Sequence, residues 1–393
     1  MTLITLCLAL LFLPLCPSEM RDAAAIIFIA AISSRLLVKP VKQSPNGWLA
    51  ALLIYIPVSI VCAPNIRLLI GSENVGGLWM WRSLAWAFGY FMVYLAVHGI
   101  CFNRERNRRI IAWAIITPAL LSALYCYAQA LGMDQWQYTL SYNEIGSPDV
   151  PSLTAMIGNP TYLAVYLALS LPFAVLLAPW WVAVIIGAPI LFLHSETAFF
   201  GAPLAFALWK ILTLKKYSKS LVVMVLLIVS LFVGLIFSNK LKVNPSGRIA
   251  VWSNTITDWQ SPPILVKPDD SPLNKRAYQM TGRGIGSFQY LYPLKHYQQK
   301  QYGQTIWTSA HNEYIEALYS IGLIGLILML GALGFMFYNA RHAIEDNFFS
   351  AVFISSIIAV FSAFTLPVWH IEPLRFISVV LFSLLASYSR QRP

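Results

Sequence analysis

The stretch Ser309 to Gly325 reads S-A-H-N-E-Y-I-E-A-L-Y-S-I-G-L-I-G. It packs an imidazole, an amide and two carboxylates into little more than one helical turn, directly before an apolar run. Ser309 suits an N-cap, so His311 is expected in the first turn of the helix that follows. A helix N-terminus carries roughly half a positive charge, which disfavours an imidazolium. His311 is therefore expected to stay neutral and to accept a proton near neutral pH. Glu316 falls on the helix face of Asn312, and Glu313 nearer the loop. Any of the three could support His311. The plainer alternative is an interfacial histidine bonded to loop backbone. Gly322 and Gly325 fit a close helix contact.

Three other stretches carry candidate chemistry. Pro245 to Trp259 reads P-S-G-R-I-A-V-W-S-N-T-I-T-D-W. Arginine stays charged and its planar fork makes paired hydrogen bonds, so Arg248 suits an anion such as a diphosphate. A snorkelling arginine is the alternative. Gly282 to Pro293 reads G-R-G-I-G-S-F-Q-Y-L-Y-P. It lacks the strand and βαβ context of a nucleotide loop, so the glycines predict a tight turn with Arg283 facing solvent or an anionic ligand. His194 and Glu196 lie at a hinge between two apolar runs, and an ionisable residue near membrane depth is a functional candidate. Asn159-Pro160 reads as a helix start. Asp269 and Asp270 have no nearby histidine to complete a metal site and read as a solvated loop.

The elements that position these residues follow from composition. The chain has 393 residues, 58% apolar and only 11% charged. Soluble domains carry about a quarter charged residues. A soluble enzyme, a nucleic-acid binder and a disordered chain are thereby excluded. Cys7, Cys16, Cys62, Cys101 and Cys126 lie in or beside apolar runs without CxxC spacing, which predicts neither disulfides nor zinc. The apolar runs are Leu3 to Cys16, Ala23 to Val38, Trp48 to Ala63, Ser83 to Phe102, Ile110 to Leu131 and Tyr162 to Leu177. Trp181 to Leu193, Ala198 to Leu212, Leu221 to Ser238, Asn312 to Tyr338, Phe348 to Leu366 and Phe376 to Ser387 complete the set. The reading is an all-α polytopic membrane protein, a single integral domain over residues 1–393 with about twelve transmembrane helices. The first run lacks a basic n-region and an A-x-A site, so it is read as a span and not as a signal peptide.

The net charge of +11 sits largely in Arg35 to Lys42, Arg104 to Arg109, Lys215 to Lys219, Arg341 and the tail. If the spans alternate, these loops share one side, which the positive-inside rule makes cytoplasmic, with both termini. The long segment Asn239 to Ala310 then lies outside. Within it Ile249, Trp252, Ile256 and Trp259 recur at helical spacing. They predict an amphipathic helix, either lying on the membrane surface or packed on the spans.

Taken in order, G-N-P-T-Y-L-A-V-Y-L from Gly158, S-G-R-I-A-V-W from Ser246, G-R-G-I-G-S-F from Gly282 and H-N-E-Y-I-E-A-L-Y-S-I-G-L-I-G from His311 resemble the O-antigen ligase and O-antigen polymerase superfamily of bacterial membrane glycosyltransferases. The motifs cover Ile157 to Leu330, and the span pattern covers the whole chain. The resemblance implies the polytopic C-type glycosyltransferase fold, with Asn239 to Ala310 as a long periplasmic loop before the His311 helix. It implies transfer of a glycan from undecaprenyl diphosphate to an acceptor hydroxyl at the periplasmic face of the inner membrane. No nucleotide sugar takes part, nor, for the ligases, a metal or other cofactor. His311 matches the family's essential histidine, and Arg248 its loop arginine. One departure stands out. Where many members carry Ser-Arg at a mid-chain hinge, this chain reads H-S-E-T-A-F-F with Glu196 near that place, so either another cation substitutes or the donor is held differently. Arg283, Arg67, Arg82 and Arg375 are expected on or near that face.

The expected mechanism is a single, inverting displacement. Arginines steady the leaving diphosphate, His311 takes the acceptor proton, and Asn312, Glu313, Glu316, Glu196 or His194 support it. Lipid A-core is the favoured acceptor. A growing glycan (a polymerase) and a protein (an O-oligosaccharyltransferase) are the alternatives. A lipid-linked glycan transporter is the rival outside the enzymes. Transporters place ionisable groups at the midplane and show inverted repeats, whereas here polar residues gather in one outer segment.

Overall fold

The computed structural model describes residues 2–16, 18–38, 47–61, 75–98, 100, 104–133, 153–193, 195–213, 248–261, 272–296, 308–340 and 346–388. Among these residues there is no strand. The α-helices are α1 (Thr2–Phe12), α2 (Ser18–Val38), α3 (Gly47–Val61), α4 (Val75–His98), α5 (Glu105–Ala130), α6 (Pro160–Leu177) and α7 (Trp180–Phe192). They continue as α8 (Glu196–Thr213), α9 (Arg248–Gln260), α10 (Pro272–Thr281), α11 (Phe288–His296), α12 (Glu313–Ala340), α13 (Asn347–Ser362) and α14 (Glu372–Tyr388). Every expected apolar run that falls within the described residues is a helix. Leu221 to Ser238 lies outside them, as do Asp269, Asp270 and Arg67.

Among the described residues three helices, α5, α6 and α12, are long and apolar enough to cross a membrane, and shorter apolar helices accompany them. The bundle is organised around α6 and α13, which pack on each other and are buried on nearly every side. An all-round apolar helix is stable only inside a bundle or in lipid. The outer helices present bulky apolar side chains, including Ile27, Ile54, Phe88, Trp180 and Leu191, all more than half exposed. Such a surface disfavours water and is compatible with a membrane protein.

Local chemistry sets the helix ends. Asn159 Oδ1 accepts from the amides of Thr161 and Tyr162, with Pro160 at the first position, so the expected start of α6 is met. Asp346 caps α13 in the same way and pairs with Arg108 at 2.6 Å. That pair lies at the opposite end of α13 from Ala363, whose carbonyl accepts from the Glu313 amide.

Among the described residues, the segment between α8 and α12 contributes three short helices. The α9 helix packs on α12, with Val251, Trp252, Thr255 and Asp258 buried. The expected stripe is rotated, since Ile256 is 38% exposed. The reason is polar. Asp258 turns inward to bind Lys295 and His296 of α11, carrying that face with it. Of the two readings of this helix, the packed one describes it.

A backbone joint ties these short helices to the bundle. Gly282, Gly284 and Gly286 all have positive φ, giving the expected tight turn. Opposite them, α12 is kinked at Gly322 (φ 69°, ψ −174°). The kink releases the Ser320 carbonyl, which accepts from the Arg283 and Gly284 amides at 3.1 and 2.8 Å. A Cβ on Gly282 would sit 2.4 Å from the Gly322 nitrogen, and one on Gly322 would sit 2.4 Å from the Gly282 nitrogen. The expected close contact at Gly322 is therefore made by this turn. At Gly325 the nearest atoms to an added Cβ belong to the Ile321 side chain of the same helix, at 2.5 Å.

Candidate functional site

The helix after His311 begins three residues later than expected. Asn312, and not Ser309, is the cap: its Oδ1 accepts from the Tyr314 and Ile315 amides, each at 3.1 Å. Ser309 Oγ instead donates to Glu316 Oε2 at 3.2 Å, and the Ala310 amide donates to the same oxygen at 3.0 Å. His311 thus stands before the cap, with φ of 51°, held between a serine-bonded turn and the helix start. Burial, then the charge of Arg248, pushes its pKa down to about 4, with His370 adding to the fall and Glu316 opposing it. The imidazole is neutral at pH 7, mainly through burial and a neighbouring guanidinium.

Arg248 opens α9, and its Nη1 donates to the Thr365 carbonyl at 3.0 Å. Four residues on, Trp252 Nε1 donates to the Ala310 carbonyl at 2.8 Å. One helix is thereby fixed both to the His311 turn and to the segment between α13 and α14. The hinge before α8 reaches the same place, because the Thr197 and Thr365 hydroxyls are hydrogen-bonded. Ser195 Oγ accepts from the Ala198 amide and caps α8. His194 and the Glu196 side chain lie outside the described residues.

Arg283 is engaged elsewhere. It is 4% exposed, donates to the carbonyls of Asp258 and Ser261, and lies over the Tyr319 ring at 4.8 Å. It therefore satisfies carbonyls at the C-terminal end of α9, where a cation is favoured. The structure does not bring it to His311 as an anion-binding arm.

A residue the sequence reading passed over joins the site. His370 ends a short 3-10 turn, Val368–His370, before α14. Its Nε2 is 2.9 Å from Glu316 Oε1 and 3.9 Å from Glu313 Oε2, and its Nδ1 is 2.7 Å from the Gln289 amide. Glu313 Oε1 accepts from the Trp369 amide at 2.7 Å. Burial opposes charge on His370, but the Glu316 and Glu313 carboxylates outweigh it and raise the pKa to about 9. The first turn of α12 therefore links two histidine-bearing loops, with Glu316 between them. The available signal was H-x-E-x-x-R at residues 370–375, in a segment expected on the same face as His311.

Glu313, Glu316 and His370 form part of one end of a cavity of about 530 Å³. Its length is apolar, with Leu52, Ile56, Trp86, Phe91, Leu333 and Phe382 among its walls. Asp22, Arg82, Gln289, Glu372 and Arg375 complete the polar end. His311 and Arg248 do not line it. His311 lies close enough to Glu316 and His370, which do line it, to feel their charge. Among the described residues, no group of three or more His, Cys, Asp or Glu is arranged to hold a metal ion.

No protein-family model matches this chain, and no curated protein matches it either.

Proposed function

We propose that this protein is an O-antigen ligase-like membrane glycosyltransferase, moving a glycan from undecaprenyl diphosphate to an acceptor hydroxyl, with lipid A-core as the favoured acceptor. The observation that carries this reading is the meeting of His311 and Arg248, remote in sequence, at the end of the bundle where Glu316 and His370 line an apolar cavity. A neutral imidazole beside a fixed guanidinium suits a reaction that takes up a proton while an anion departs. The acceptor O–H gives its proton to His311 and its oxygen bonds to the anomeric carbon. The bond from that carbon to the diphosphate oxygen breaks, and the electron pair leaves on the diphosphate. Displacement from the opposite face inverts the configuration.

The accompanying topology has about twelve spans, both termini cytoplasmic, and the His311 end of the bundle in the periplasm. The polar residues gathered at one end, and not at mid-depth, favour an enzyme over a transporter. The deciding assay uses the purified full chain in detergent with an undecaprenyl-diphosphate glycan and lipid A-core. Glycan appears on the core if the reading holds. Flipping in vesicles without transfer in detergent would overturn it in favour of transport. For the topology, Gln299→Cys is labelled by an impermeant thiol reagent in spheroplasts and Asn107→Cys is not, and the opposite pattern refutes the orientation.

A further inference from the structure

The end of the bundle away from His311 carries a second concentration of charge. Five of the six residues from Arg104 to Arg109, at the start of α5, are charged, and four of them are arginines. Arg108 turns inward, where it pairs with Asp346 at 2.6 Å and lies over the Phe349 ring at 5.0 Å. That anchor fixes the rotation of the first turns of α5. Arg106 and Arg109 consequently face outward, and both are exposed.

The outward face continues at helical spacing. Ile110 and Trp113 are 38% and 44% exposed, and Leu121 and Leu124 are 45% and 47% exposed. The face is thus cationic in its first turn, aromatic in the next and apolar beyond. Among the described residues Arg106 and the Trp113 indole N–H have no polar partner. The acid on this turn, Glu105, pairs with Arg109 at 2.6 Å, with both side chains 75% exposed. So open a pair contributes little, and Arg109 can exchange it for another anion.

The order of these groups selects the partner. A soluble acidic molecule would use the arginines alone. A phospholipid places a phosphate, then ester carbonyls, then acyl chains along the same direction. Tryptophan suits the middle level because its ring is apolar and its N–H donates. We infer that this face of α5 holds an anionic phospholipid, with its phosphate between Arg106 and Arg109, an ester carbonyl accepting from Trp113 Nε1, and its acyl chains along Ile110 and the apolar residues beyond. This lipid site is independent of the transfer reaction and requires only that the chain sits in a bilayer.

Native mass spectrometry of the detergent-purified full chain tests it. The probes are phosphatidylglycerol, phosphatidylcholine and glycerol phosphate. Phosphatidylcholine has the same phosphate and chains but no net charge, and glycerol phosphate has no chains. A basic residue at the membrane surface is worth about fivefold in affinity for an anionic lipid. Phosphatidylglycerol should therefore bind at least about fivefold tighter than either of the others. Arg106→Gln should remove about fivefold of that affinity, and Arg106→Gln with Arg109→Gln about twentyfold, with phosphatidylcholine unchanged. Trp113→Phe keeps the ring and loses the donor, and should weaken the lipid about threefold. Glu105→Gln removes the competing acid and should strengthen binding about twofold or more, a gain that misfolding does not produce.

Equal binding of phosphatidylcholine, or an undiminished preference in the double arginine variant, overturns the site. Glycerol phosphate binding as tightly as phosphatidylglycerol overturns the lipid assignment in favour of a soluble anion. Weaker binding in Glu105→Gln contradicts the placement of the phosphate at Arg109.

Discussion

Two histidines stand on two loops at the same end of the bundle, with Glu316 close to both, and their neighbours drive them in opposite directions. His311 is pushed down to about 4 by burial and by Arg248. For His370 burial works in the same direction, but two carboxylates prevail and lift it to about 9. At pH 7 one ring is neutral and the other is an imidazolium. Identical side chains acquire different duties because one faces a guanidinium and the other faces two acids. Only His311 is free of charge to take a proton. His370 acts as a fixed cation that holds Glu316, and through it the Ser309–Ala310 backbone, in place.

The sharpest way to break this division is to delete each ring. His311→Ala should lower turnover by about 10²–10⁴-fold, the range for lost acid–base assistance, in a protein that still folds. His370→Gln should cost about tenfold to 10²-fold, as expected when a reacting group is displaced and not removed. Initial rates of glycan transfer measure both. A His370 variant worse than the His311 variant would reverse the roles.

Arg248 offers the next test, since it faces only one of the pair. Arg248→Lys should be nearly as inactive as Arg248→Ala, because a point charge does not reproduce paired hydrogen bonds. In Arg248→Ala the acid limb of any residual activity should move to higher pH, because the charge that depresses His311 is gone. An unmoved limb in the pH–rate profile would remove Arg248 as a cause of the neutral ring.

Stability against pH separates the two histidines without any substrate. His370 is raised above its ordinary 6.5, so its contribution is present in full below that value and is lost as pH climbs through about 9. His311 is depressed below the same 6.5. Its neutral form is compatible with the fold above that pH, and stability is lost as pH falls towards about 4. Melting temperature in detergent should fall on both sides of a plateau. His370→Gln should flatten the alkaline side alone, and His311→Gln the acid side alone.

The smallest expected effect is none at all. If Glu313 and Glu316 serve an imidazolium and not a metal ion, EDTA should leave transfer unchanged. Activity lost on chelation and restored by Mg²⁺ or Mn²⁺ would recast those acids as ligands.

The apolar helices of this bundle were legible in sequence because each coincides with an apolar run, whereas the short α10 and α11 have no such run and were not. The two ends of α12 differ in this respect. Its apolar body was plain, whereas its first residue depends on whether Ser309 or Asn312 satisfies the orphan amides, a competition between two good caps decided by Glu316 drawing Ser309 away. Arg248 and His311 were readable from their local motifs. His370 was not, since nothing beside it in sequence announces Glu316 as its partner. Arg283 misled for the opposite reason. Its glycine setting suggested exposure, and only the tertiary fold shows it buried against the end of α9.

The joint between Gly282 and Gly322 has a consequence for the paths by which this sequence can drift. Compensation usually lets a crowded pair trade volume, one residue growing as its neighbour shrinks. Here each added methyl would strike the other's main chain, and neither residue has anything left to give up. Descendants of this protein should therefore keep both glycines or lose the seam entirely, with no intermediate exchange between them. The seam is inherited as one character written at two distant places in the chain.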